Sequence, residues 1–69
     1  MTKFSILLED GSLLKDVLIK IGSKYAKNNA DVYWFVKSCP FIEVYRDDET
    51  YFCKIDVNDI YYYTISEKY

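Results

Sequence analysis

The sequence predicts a mixed α+β fold: a strand, one helix, then an antiparallel meander of four strands (βαββββ), with the helix packed on one face of the sheet. Three observations carry that expectation. Residues 3–8 alternate apolar and polar side chains, the period of a strand. Leu13, Leu14, Val17, Leu18, Ile21 and Tyr25 recur at helical spacing and share one stripe of a helix. From Asp31 onward, β-branched and aromatic residues dominate, and the runs are separated by turn-forming residues.

In the first strand Phe4, Ile6 and Leu8 define one face, and Leu7 gives the other face an apolar residue, as in a strand covered on both sides. Asp10-Gly11 signals a turn. Ser12 stands where a helix N-cap belongs, with a hydroxyl able to accept a free backbone N–H. The helix then occupies residues 12–27, with Gly22 weakening its last turn and Asn28-Asn29 stopping it. The same residues admit a second reading, in which residues 4–8 pair with Val17, Ile19 and Ile21 as a hairpin. The fold would then be a small SH3-like or Sm-like β-barrel. The helical template fits Leu18 on its stripe, whereas the strand template must explain it separately.

Residues 32–36, Val-Tyr-Trp-Phe-Val, read as a strand apolar on both faces, ended by Ser38-Cys39-Pro40 because proline cannot donate to a sheet ladder. Residues 41–46 and 51–55 flank Asp47-Asp48-Glu49-Thr50 and read as a hairpin. Its register sets Arg46 opposite Tyr51, Tyr45 opposite Phe52, Val44 opposite Cys53, Glu43 opposite Lys54 and Ile42 opposite Ile55. That register matches apolar with apolar, aromatic with aromatic and anion with cation, and a slip of one residue mixes them all. Ile42, Val44, Cys53 and Ile55 then face the core. Phe41, Glu43, Tyr45, Phe52 and Lys54 face away from it. Residues 56–59 form a further turn. The last strand covers residues 60–65, with Ile60, Tyr62 and Thr64 on one face and Tyr61, Tyr63 and Ile65 on the other. Residues 66–69 are expected to be a loose tail.

Composition limits the function. A chain of 69 residues is read as a single small domain spanning residues 1–69, with marginal stability. It contains no histidine, so the usual general base and the usual catalytic triads are missing, and its two glycines rule out a Gly-rich phosphate loop. The expectation is a protein that is not an enzyme and carries no cofactor. Cys39 and Cys53 do not complete a tetrahedral zinc site, which wants four ligands, and Asp47-Asp48-Glu49 at a hairpin tip do not converge on a cation. No apolar stretch approaches a membrane span, and the apolar run near the start is too short for a secretory leader. The chain is expected to be cytoplasmic, with both thiols reduced.

Charge and aromaticity then point to contact. The net charge is −2, but it is divided. Residues 12–37 set Lys15, Lys20, Lys24, Lys27 and Lys37 against Asp16 and Asp31, a net of +3. Residues 38–69 set Arg46, Lys54 and Lys68 against Glu43, Asp47, Asp48, Glu49, Asp56, Asp59 and Glu67, a net of −4. The eight tyrosines are the residue type, with tryptophan, that dominates protein–protein hot spots. The expected function is a small, acidic, non-catalytic protein-binding module, an inhibitor or regulator. Its contact residues would be Glu43, Tyr45, Asp47, Asp48, Glu49, Phe52, Tyr61 and Tyr63. The partner would be another protein, such as a nucleic-acid-handling protein with a basic groove. One alternative is a structural subunit that forms a homodimer through its aromatic face. Another is single-stranded nucleic-acid binding, with Lys20, Lys24 and Lys27 on one helix ridge beside sheet aromatics; the acidic surroundings disfavour it. By composition alone, a histidine-free chain rich in Tyr, Asn and Lys has the look of a phage or mobile-element accessory protein.

Overall fold

The computed structural model describes residues 1–67 as an antiparallel sheet of six strands with one helix, a mixed α+β fold. The elements are β1 (Lys3–Leu8), β2 (Leu13–Ile21), β3 (Lys24–Tyr25), α1 (Asn29–Ser38), β4 (Phe41–Tyr45), β5 (Tyr51–Asp56), a 3-10 turn (Val57–Asp59) and β6 (Ile60–Glu67). The strand order is β5-β4-β2-β1-β6, and the short β3 pairs with β2.

The helix is not where the periodicity placed it. Residues 13–21 form β2, paired with β1 through Phe4↔Val17, Ile6↔Leu14 and Leu7↔Leu13. The turn before it is built by Asp10 and Gly11. Ser12 N donates to Asp10 Oδ1 at 2.8 Å, and Gly11 adopts φ +92°. Ser12 therefore closes a hairpin and caps no helix. The helical spacing has a specific origin. Between Phe4 and Ile6 the register shifts, so Lys15 and Asp16 together lie across from Ser5, and Asp16 takes the left-handed conformation at φ 58°. This is a β-bulge, which inserts one residue into a strand. It puts Leu14 and Val17, three positions apart, on the same core side, and Ile19 and Ile21 follow at the ordinary period of two. Leu18 lies on the other face, directly across from Tyr45, and is buried there.

The observed helix, α1, replaces the expected strand over residues 32–36. Asn28 starts it: its Oδ1 accepts from Asp31 N at 2.9 Å, while Asp31 Oδ2 accepts from Lys27 N at 2.8 Å. The first bond satisfies a donor that a helix start leaves free, and the second ties the first turn to the residue before the cap. Asn28 was thus a start signal where a stop had been expected. Val32, Phe35 and Val36 form the buried stripe, and Tyr33 and Trp34 project outward. The β-forming composition that suggested a strand is overridden by the cap and by burial of that stripe. Cys39 N donates to Phe35 O at 3.0 Å, and Pro40 follows the end of the helix.

The β4–β5 hairpin keeps three of the expected pairs, Ile42↔Ile55, Glu43↔Lys54 and Val44↔Cys53. At the tip a register shift pairs Tyr45 with Tyr51, so Phe52 becomes the extra residue and Arg46 has no strand partner. Instead Arg46 N bonds Thr50 O at 2.8 Å within the turn.

The final strand is longer than expected and its faces differ. Ser66 and Glu67 belong to β6, whereas residues 68–69 of the expected tail lie outside the described residues. Another bulge falls at Tyr61, because Leu7 pairs with Tyr62 while Leu8 pairs with Ile60. Ile60, Tyr63 and Ile65 consequently share the core side, whereas Tyr61 and Tyr62 are exposed.

The core is centred on Phe4, Ile6, Ile19, Val32, Ile42 and Val44, all fully buried. These residues come from β1, β2, α1 and β4, so the helix and both halves of the sheet are locked by one apolar cluster. No helix among the described residues is long and apolar enough to cross a membrane.

Candidate functional site

The β4–β5 hairpin gathers six of the expected contact residues. Its tip is a tight turn in which Glu49 N donates to Arg46 O at 2.9 Å, and Glu49 itself has φ 69°. Asp48 Oδ1 accepts from both Thr50 N at 3.0 Å and Thr50 Oγ1 at 2.6 Å. Asp47 reaches back to β1, with its Oδ2 at 3.6 Å from Lys3 Nζ. Asp48 is therefore largely a turn-former, whereas the exposed Asp47 and Glu49 present charge at the tip.

Along the outer face of the same hairpin, aromatic rings and charges are interleaved. Glu43 lies between Lys20 of β2 and Lys54 of β5 in register, and it accepts a 3.3 Å hydrogen bond from the Tyr45 hydroxyl. Tyr45 makes edge-to-face contacts with Tyr25 and Tyr51, at centroid separations of 5.9 and 5.5 Å. The Lys20 ammonium sits 5.1 Å from the Tyr25 ring and 4.9 Å from the Tyr45 ring. Arg46 stacks over Phe52 at 4.5 Å, and Lys54 lies 5.1 Å from the Phe41 ring. Each such pairing contributes on the order of 0.5–1 kcal/mol at an exposed site. Desolvation within this cluster, reinforced by Glu49, raises the Tyr25 pKa, and desolvation reinforced by Glu43 raises that of Tyr45.

Between the tip and the β2 bulge lies a hollow of about 320 Å³, lined by Leu13, Leu14, Asp16, Arg46, Asp47 and Phe52 among others. One wall carries the left-handed Asp16 and the other the stacked Arg46–Phe52 pair. Leu13 is 59% exposed at its rim.

Tyr61 and Tyr63 do not join this group. They lie on β6, at the opposite end of the strand order from β5. Tyr61 is exposed, whereas Tyr63 is half-buried against the core. Beside them is a groove of about 450 Å³ between α1 and β6, lined by Asn29, Val36, Val57 and residues 60–63. Tyr62 and Trp34 lie outside the expected contact set, yet they are 60% and 64% exposed. Trp34 was hidden by its placement in a strand, and Tyr62 by a bulge that strict alternation does not anticipate.

The expected lysine ridge is dispersed. Lys20 lies on the outer sheet face over two tyrosines, whereas Lys24 and Lys27 line a hollow of about 720 Å³ with Met1 and Thr2. Among the described residues no three His, Cys, Asp or Glu side chains gather to hold a metal. Both cysteines are free thiols, and burial raises the Cys53 pKa, so this thiol stays protonated and weakly nucleophilic at neutral pH.

Two turns are tuned by hydrogen bonds to aspartate. The Ser12 backbone and hydroxyl lower the pKa of Asp10, and the Thr50 hydroxyl and backbone lower that of Asp48, each from an ordinary 3.8. A depressed carboxylate pKa stabilises the fold above its unfolded value and loses that contribution as pH falls through the folded value. The Ser12 and Thr50 amide resonances are therefore expected to titrate together with their aspartates, with midpoints below 3.8, in an NMR titration. A midpoint at or above 3.8 for Thr50 would show that Asp48 does not hold the tip.

No protein-family model matches the chain, and neither a curated protein nor a solved structure matches it. The functional reading therefore rests on geometry and chemistry.

Proposed function

We propose that the chain is a small, acidic, non-catalytic protein-binding module, an inhibitor or regulator that acts by occupying a surface of another protein. One observation carries the reading: large aromatic side chains stand exposed beside an acidic hairpin tip. Tyr51 is 56% exposed and Phe52 40%, one residue beyond the run Asp47-Asp48-Glu49. A rigid aromatic anchor bordered by carboxylates suits a basic surface with apolar pockets. The carboxylates steer the encounter and the rings supply the buried area. Glu43, Tyr45, Asp47, Asp48, Glu49 and Phe52 are the contact residues on this side.

The test is charge reversal. Asp47/Asp48/Glu49→Lys should weaken binding to a partner recovered from the native host on the order of tenfold at low salt. It should leave the sheet and core intact, because these positions are exposed and the Lys3–Asp47 pair is of the kind worth about 0–1 kcal/mol. Asp47/Glu49→Lys, which keeps the Asp48–Thr50 bonds of the turn, should show the same loss of affinity. Unchanged affinity in these variants sinks the acidic-tip reading.

A second reading is favoured by the cations that lie against the outer-face rings. Lys20, Arg46 and Lys54 contact Tyr25, Tyr45, Phe52 and Phe41, and alternating rings and cations are what a single strand of nucleic acid stacks upon. Salt-sensitive oligonucleotide binding that is lost in Lys20/Lys54→Glu would favour it. As a finer architectural proposal, we take β2, which pairs with β1 over its first half and β4 over its second, as the shared strand of a small SH3-like or Sm-like closure.

A further inference from the structure

We propose that the outer edge of β6, together with the groove beside α1, docks an extended segment of another protein that carries alternating apolar side chains and a lysine or arginine. This rests on the protein-binding reading above and names the chemistry of one partner segment. β6 ends the strand order, so among the described residues no strand pairs with its outer side. Exposed edges of this kind are templates for an added strand, and proteins commonly blunt them with proline, lysine or inward charges. The other edge strand, β5, carries Lys54 and Asp56. β6 carries neither proline nor charge from Ile60 through Ser66. Tyr61 and Tyr62, 68% and 60% exposed, flank that edge, and Val36, Val57 and Ile60 form an apolar side to the groove.

Charge selects the occupant. Glu9 and Asp59 are adjacent at the start of β6, where Glu9 N donates to Asp59 O at 2.8 Å, and Asp10 lies beside them. Both side chains are exposed, and neither carboxylate has a hydrogen-bond or ion-pair partner among the described residues. Glu9 and Asp10 follow β1 on the inner side of β6, so Asp59 is the carboxylate that a cation on the incoming strand would meet. A second copy of the chain fits less well, because its own β6 carries no cation from Ile60 through Ser66 to meet an acidic residue at the start of the strand.

The experiment pans a displayed library of random peptides against the full chain. The enriched peptides are expected to alternate apolar residues, to carry net positive charge, and to slow hydrogen exchange at the β6 amides. Their affinity should fall about tenfold or more in Tyr62→Ser and in Asp59→Lys, as for loss of an interface hot spot. Both positions are exposed, so circular dichroism should show a retained fold. Enrichment of acidic peptides, or of none, overturns the inference. Binding that survives both of these variants but is lost in Asp47/Asp48/Glu49→Lys also overturns it, while leaving the protein-binding reading standing. A concentration-dependent dimer in sedimentation that is abolished by Tyr62→Ser would assign the edge to a second copy and overturn it as well.

Discussion

Phe4→Ala is expected to bring the chain close to its unfolding threshold at 25 °C. Phe4 is fully buried, and its Cα partners are Val17 on β2 and Ile65 on β6. It thus joins β1 to both of its neighbours and lies in the same cluster as Val32 and Phe35 of the helix. Removing a buried phenylalanine side chain costs about 3–5 kcal/mol in lost transfer and residual cavity. A chain of this length has roughly 3–10 kcal/mol of stability in all. The substitution therefore removes a large share of it, and the urea midpoint should collapse or vanish. Tyr62→Ala provides the contrast: 60% exposed, it should change stability by about 0.5 kcal/mol or less. Equal urea midpoints for the two variants would contradict the assignment of Phe4 to the centre of the core.

The contrast between Phe4 and Tyr62 also shows which parts of the fold the sequence made legible. β1, the β4–β5 hairpin and the existence of β6 were readable because each is encoded locally: a clean period of two, or cross-strand partners that match in chemistry. The α+β class was right, but the helix was assigned to the wrong segment. Leu14 and Val17 are spaced like helical neighbours because a bulge adds a residue between them, and in a hydrophobic pattern that spacing reads as a helix. Conversely, residues 32–36 have strand composition, and only the Asn28–Asp31 capping pair announced a helix. The same difficulty recurs at Tyr61, where another bulge moved Tyr63 into the core and Tyr62 out of it. On the hairpin the expected contact residues stay together, because sequence neighbours there remain neighbours in space. On β6 Tyr61 is exposed while Tyr63 packs against the core, and Trp34 is exposed on the helix, because exposure there depends on how a distant element packs. Lys20 shows a further limit. On a helix it would have joined Lys24 and Lys27, whereas on β2 it is drawn to Tyr25 and Tyr45.

Asp16 offers the sharpest test of the bulge, because the helical and strand readings predict opposite signs for one substitution. In the structure Asp16 has φ 58°, a conformation that costs an ordinary L-residue about 1–2 kcal/mol and that aspartate tolerates better than most. Glycine carries no such cost, so Asp16→Gly should be neutral or stabilising by up to about 1 kcal/mol. Valine is β-branched and a genuine outlier at positive φ, so Asp16→Val should destabilise by about 1–3 kcal/mol. Were residues 12–27 helical, the glycine variant would instead lose about 0.5 kcal/mol relative to aspartate, while valine would be nearly neutral. Chemical denaturation of the two variants side by side decides between these outcomes. The stake extends beyond stability. Asp16 lines the hollow that Arg46, Asp47 and Phe52 share, so a change in the bulge alters the shape of the acidic-tip site. Asp16→Gly, which keeps the backbone path and removes the side chain, separates the two effects. If it preserves stability and partner affinity together, the bulge serves the fold. If stability holds while affinity falls, the Asp16 carboxylate belongs to the contact surface.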